Sequence, residues 1–251
     1  MNRRNFLAGG LLFAGSAPWL RAFADFPAPP QNHPASKAPQ NLLTQTFPES
    51  FLASHLSSVR SWNPYPRYDA RPAWKSVPSD VATLLIARAN KAQSQPWEVL
   101  TATEFLNFKR SGNRSRYESR EFGRRAKLSD LVVGECLEGK GSFLDSIVDG
   151  VWLICEESFW GVPAHLPNGQ SGAGLPDVTN PTVELFGAET GSLLAWTDYL
   201  LGEQLDQVSP KITPRIRLEA QRHLLKPARE RSDFWWMGLN GTPTDLNNWN
   251  P

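Results

Sequence analysis

The sequence predicts an all-α protein, on three observations. Apolar residues recur at helical spacing through most of the chain after about residue 79. The segments that carry this spacing are bounded by capping residues, prolines and glycines. No run of alternating apolar and polar residues lies between hairpin turns, so strand signals are sparse.

The elements follow in chain order. Residues 1–24 open Met1-Asn2-Arg3-Arg4-Asn5-Phe6-Leu7, and the paired Arg3 and Arg4 followed by Phe-Leu form a twin-arginine export signature. The apolar run Leu7 to Gly15 is shorter than the roughly 20 residues a membrane span needs. Ala22-Phe23-Ala24 is an A-x-A cleavage site, with Asp25 as the first mature residue. The expectation is therefore passage through the twin-arginine translocase to the periplasm or beyond; the competing reading is an uncleaved anchor. Residues 25–60 form a Pro/Ala-rich leader and linker, extended and mostly without regular structure at its start.

From residue 61 the chain reads as one helical domain. Trp62-Asn63-Pro64-Tyr65-Pro66-Arg67-Tyr68 is too proline-rich for helix and reads as an ordered loop packed on the domain. Ser79-Asp80 caps a helix through Ala89, and Thr101 or Thr103 starts another through Phe108. Arg114 to Leu137 is a long charged amphipathic helix, and Ser142 opens a more apolar one through Ile154. Pro181-Thr182 opens a helix ended by Gly202. Pro210 starts a last helix, which stops before Pro227. Two long loops, Glu156 to Asn180 and Arg229 to the end, stand out as functional candidates.

Composition narrows the function. Loss of the signal removes three arginines and no acid, taking the formal charge from +1 to −2. A nearly neutral mature chain gives nucleic-acid binding no electrostatic support. No later stretch is long and apolar enough to span a membrane. The two cysteines, Cys136 and Cys155, lie among apolar residues and read as buried free thiols, with a disulfide as the alternative that export permits. None of the four histidines is near them in sequence, which disfavours a metal site, and no cofactor is expected. Ten tryptophans are many for this length. Exposed indoles form platforms for sugar rings, although packing in a helical core is the commoner role of any one of them.

Both candidate loops combine aromatics with polar groups. One holds Glu156-Glu157-Ser158-Phe159-Trp160 and Pro163-Ala164-His165; the other holds Trp236-Met237-Gly238 and Asn247-Asn248-Trp249-Asn250-Pro251. Amides offer donors and acceptors to hydroxyls, and rings stack on sugar faces. With Ala188-Glu189-Thr190, Leu194-Ala195-Trp196, Leu200-Leu201-Gly202, Leu205-Asp206, Val208-Ser209-Pro210 and Arg215-Ile216, these words resemble the heparinase II/III-like polysaccharide lyases, best from about Tyr117 onward.

The resemblance implies paired antiparallel helices curling into an incomplete (α/α) toroid. In the family a β-sandwich domain follows, so residues 61–251 would be the first part of a toroid truncated at its C-terminus. It also implies β-elimination on an acidic, uronate-containing polysaccharide such as heparan sulfate or alginate. There one group neutralises the carboxylate, a base takes the C5 proton, and an acid protonates the leaving oxygen. Asn247-Asn248-Trp249 resembles the Asn-Asn-His segment of alginate-lyase-like members, which makes Asn248 the neutraliser and puts Trp249 where those members carry histidine. An ordinary capped turn explains the same asparagines equally well. The missing base and acid would lie beyond Pro251.

Substrate contacts are then expected from Asn247, Trp249, Trp160, His165 and Glu189. His165 has a structural hydrogen bond as its alternative role, and Glu189 is either buried and paired or lines the toroid cavity. Glu156 and Glu157 end a helix, where an acid opposes the helix dipole and calls for an arginine partner. Arg114, Arg116, Arg120, Arg124 and Arg125 read as a solvated face paired with Glu118 and Glu121, or else as an anionic-glycan groove. Two other classes remain open: an inverting glycoside hydrolase, pairing Glu157 with Glu189 or Asp198 at roughly 6.5–9.5 Å, and a non-catalytic glycan-binding helical protein.

Overall fold

Residues 46–56, 61–166, 174–231, 233, 234 and 236 are described by a computed structural model of the 251-residue chain. The described residues are helical and contain no strand. Ten α-helices follow in order: α1 Glu49–His55, α2 Arg71–Lys75, α3 Ser79–Ser94, α4 Ala102–Phe105 and α5 Asn107–Ser111. Then come α6 Ser115–Glu138, α7 Leu144–Cys155, α8 Leu185–Val208, α9 Ile212–Ala220 and α10 Lys226–Glu230. A 3-10 turn, Pro163–His165, lies between α7 and α8 among the described residues.

The long helix α6 organises the rest. It packs against α3 on one side and against α7 and α8 on the other, while α9 closes onto α7 and α8. Helices α3 and α6 run antiparallel: Arg88 pairs with Asp130, while Lys127, further back along α6, donates to the carbonyl of Gln95. They approach closely at Gly134, where an added Cβ would stand 2.2 Å from the Cβ of Ala89. Side chains at 2 % exposure or less fill the shared core, among them Leu128, Leu131, Ile147, Ile154, Leu194 and Ile216. Each contributes about 1.5–3 kcal/mol through removal from water.

The α6–α7 turn is fixed by charges that pattern alone does not announce. Helix α6 ends at Gly139, whose φ of +69° favours a residue without a Cβ. Arg71 reaches over this end and donates to the carbonyls of Cys136 (2.7 Å) and Leu137 (3.0 Å). The fully buried Glu135 carboxylate accepts from the backbone N–H of Gly141 (2.7 Å) and Phe143 (3.0 Å), at the start of α7. It also accepts from the Tyr68 hydroxyl at 3.1 Å. The aromatic, proline-rich loop is thus ordered and tied to the domain, as its composition suggests.

Several expected boundaries shift. Ser79 begins α3 but makes no side-chain cap, whereas Thr101 does cap α4 through Glu104 N–H (3.3 Å). Helix α8 starts at Leu185, not Pro181, because the Glu184 side chain takes the Gly187 N–H at 2.7 Å. Gly202 lies inside α8, which continues to Val208. Pro227 does not stop the last helix. A π-helical stretch, Gln221–Leu225, widens the turn before it, and the proline then occupies the first turn of α10, where no amide donor is needed. Helix α1 falls within the leader and buries no residue. Both cysteines are free and buried, and burial pushes both thiols up to about 12.

Gly134→Ala tests the α3–α6 contact. The added methyl meets a backbone-anchored Cβ that cannot rotate away, so urea unfolding should show a loss of about 1–3 kcal/mol. Gly123→Ala, whose Cβ would meet nothing within 4 Å, should show no such loss.

Candidate functional site

The chemistry-bearing groups gather where α7 ends. Helix α7 leaves its last carbonyls facing inward, and two side chains cap them: Arg215 donates to the Cys155 carbonyl (3.0 Å) and Trp160 Nε1 to that of Ile154 (2.9 Å). Glu157 follows at once, buried, where the negative end of the helix dipole opposes a carboxylate. Two guanidiniums from α6 answer it. Arg125 binds it through both ends, Nη1 to Oε1 at 2.7 Å and Nη2 to Oε2 at 2.5 Å. Arg124 adds a third contact at 3.1 Å. Arg125 Nε then donates to Thr190 Oγ1 on α8 at 3.1 Å, so one side chain joins three helical segments.

The arginine series therefore divides. Arg114 and Arg120 form the exposed ion pairs expected of a solvated face, with Glu118 and with Glu98 and Glu104 respectively. Arg124 and Arg125 turn inward instead, because adjacent residues on a helix stand about 100° apart and this pair spans the buried side of α6.

Glu121, one turn before Arg125, is 1 % exposed. Among the described residues neither of its oxygens has a hydrogen-bond partner, and Arg125 Nη2 comes only to 3.4 Å. Burial pushes its carboxyl up to about 8 against the pull of Arg125, with the Glu157 charge adding to the rise. Tyr117, packed beside these acids, has its phenol pushed up by burial in the same way. The cluster thus holds two guanidiniums, one firmly bound carboxylate and one acid that stays protonated at neutral pH.

Clefts open on both sides of it. One of about 440 Å³ lies between α6 and α8, with Arg125, Phe122, Phe186 and Glu189 in its walls. The other, of about 480 Å³, is lined by Arg124, Glu157, Tyr117, Phe159 and Val99 among others. Glu157 sits between them and ties the cation of one cleft to the cation of the other.

The expected site residues fall in different places. Trp160 is a correction: it is 1 % exposed, its ring stacks on His223 at 4.5 Å, and it presents no face to a sugar. Its indole serves the helix end instead. His165 stacks on Phe186 (5.2 Å between centroids), and its Nδ1 lies 2.5 Å from Glu184 Oε2, the structural role that was its alternative. Glu189 is exposed, lines the α6–α8 cleft and has no ion-pair partner among the described residues. Of the carboxylates considered for hydrolysis, Glu157 is held by two arginines and Asp198 by Arg217 at 2.8 and 3.1 Å. Asn247, Asn248, Trp249, Arg3, Arg4, Ala22 and Ala24 lie outside the described residues.

Sequence reasoning missed Glu135 and Glu184 and placed Glu121 on a solvated face, whereas it is buried. Acids are ordinarily exposed, and only the apolar stripe around Leu128 and Leu131 marks Glu121 and Glu135 as lying on the inner face of α6.

The Glu121 carboxyl gives the fold a pH dependence of definite sign. Well below pH 4.5 it is protonated in both folded and unfolded chains. Between there and about pH 8 the unfolded chain ionises while the folded one does not, so stability falls as pH rises. Glu121→Gln should match wild type well below pH 4.5 and exceed it above pH 8, by on the order of a few kcal/mol in urea unfolding followed by tryptophan fluorescence.

Compared with models of known protein families and with curated proteins, the sequence has no match.

Proposed function

We propose that this protein is an exported, polysaccharide lyase-like protein that binds uronic-acid-containing glycans and cleaves them by β-elimination. The observation that carries the reading is the α6–α8 cleft, where an aromatic wall of Phe122 and Phe186 stands beside a buried guanidinium. Arg125 stands behind the rings, held by Glu157 and Thr190, and exposed Glu189 offers an acceptor to hydroxyls at the cleft wall. The rings suit the apolar face of a pyranose. Antiparallel helices joined by short turns, as in α6–α7 and α8–α9, are the units from which an (α/α) toroid is assembled. The twin-arginine opening adds a route to the periplasm or beyond, where glycan polymers are met.

In this reading Asn248 donates its amide N–H to the substrate carboxylate and so makes the C5 proton easier to remove. Asn247, Trp249 and Glu189 contribute to binding. A second reading, non-catalytic glycan binding, is favoured by Trp249, which cannot take a proton as histidine would.

The test is direct. Incubated with alginate and with heparan sulfate, the full-length chain should release products with the ultraviolet absorbance of a C4–C5 double bond. Asn248→Ala should cut that rate about 100- to 1000-fold, the cost of losing one charge-stabilising donor. Products lacking the absorbance would make the protein a hydrolase. Binding without products would leave the non-catalytic reading.

A further inference from the structure

Away from these clefts, four aromatic side chains meet at the surface. Trp196 and Tyr199 lie on α8, and Trp62 and Tyr65 lie on the loop before α2. Trp62 is 50 %, Tyr65 61 % and Trp196 36 % exposed. Trp62 and Trp196 lie 6.4 Å apart with planes 36° from each other, and Tyr65 meets Trp196 edge-on at 5.5 Å.

The patch is built rather than incidental. The Tyr199 hydroxyl proton is shared between Asn63 Oδ1 (2.6 Å) and the Tyr65 carbonyl (2.5 Å), which fixes the loop onto the helix. Arg67 covers the Tyr199 ring at 4.5 Å. The rings are thus held in place while their outer faces stay in water, an arrangement that hydrophobic burial alone opposes.

Tyr199 and Arg67 also line a neighbouring polar cleft of about 250 Å³, which brings Asp69, Asp198, Glu203, Asp206 and Arg217 beside the patch. Its four acids outnumber its two arginines. Asp198 is bound by Arg217, and Asp206 accepts from the Thr213 backbone and hydroxyl. Asp69 and Glu203 are exposed and have no ion-pair partner among the described residues. Carboxylates beside a flat aromatic surface suit a ligand with an apolar face and hydroxyl donors at its rim. They repel uronates, phosphates and anionic lipid headgroups alike. The exposed rings offer far less than the roughly 800 Å² per partner of a stable protein interface, but enough for one or two pyranose rings.

We infer that Trp62, Tyr65, Trp196 and the adjoining acidic cleft form a surface subsite for an uncharged, hydroxyl-rich pyranose. This subsite is separate from the α6–α8 cleft and does not rest on the acidic-glycan reading; a chain without lyase activity still binds through it.

The test titrates the full-length chain with neutral cello-, manno-, xylo- and malto-hexaose and with an anionic guluronate hexamer, by calorimetry and tryptophan fluorescence. At least one neutral hexaose should bind saturably. Trp62→Ala and Trp196→Ala should each weaken it about tenfold, as the loss of one stacked ring predicts. Trp196→Phe should keep most of the affinity, and helix content by circular dichroism should not change. Absence of binding by every neutral hexaose overturns the inference, as does binding that both alanine variants leave intact or binding of the guluronate hexamer alone that these variants abolish.

Discussion

Glu157 is a carboxylate placed where two effects oppose it: it is buried, and it follows the negative end of a helix. Arg124 and Arg125 make that position tolerable, and in doing so they set the geometry of their surroundings. Each partner alone would be a charge stripped of water, a cost of several kcal/mol. Together they require α6 to present one face to the end of α7, and the Thr190 contact of Arg125 requires α8 to lie across both. The apolar core supplies most of the burial energy, but Leu and Ile contacts accept many small slides of helix against helix. A bidentate guanidinium–carboxylate pair accepts far fewer.

The same constraint gives the molecule its surface chemistry. Because Glu157 bridges Arg124 and Arg125, each arginine is held at the wall of a different cleft. Glu121 remains beside them without the hydrogen bonds that would stabilise its charge, and exposed Glu189 and Glu156 add carboxylates to the two cleft walls. The aromatic patch of Trp62, Tyr65 and Trp196 lies apart from these clefts and has its own acids at its edge.

Much of the fold was legible because helix periodicity is a local property. The long helix near Arg114 to Leu137, the apolar one after Ser142 and the ordered loop at Trp62 to Tyr68 all appear where patterning places them. The failures have physical causes. Pro181 and Gly202 look like start and stop signals, yet the Glu184 cap and the packing of Leu201 and Leu205 outweigh them. Pro227 looks like a stop, yet a π-helical turn absorbs it. The candidate site was less legible, because burial of a polar side chain depends on tertiary contacts. Glu157 called for an arginine through dipole reasoning, and it has two. Trp160 was expected to meet substrate because its loop combines acids, aromatics and a histidine, but its indole N–H donates to the Ile154 carbonyl.

The central claim is that the Arg124–Arg125–Glu157 cluster, rather than apolar packing alone, fixes how α6, α7 and α8 meet. A double-mutant cycle on Arg125→Met and Glu157→Ala, measured by urea unfolding, tests it most directly. The account predicts that Glu157→Ala alone loses about 3–5 kcal/mol. It also predicts that the double variant recovers part of that loss, giving a coupling well beyond the roughly 0.3–0.5 kcal/mol expected of independent sites. Small, additive single losses would contradict it.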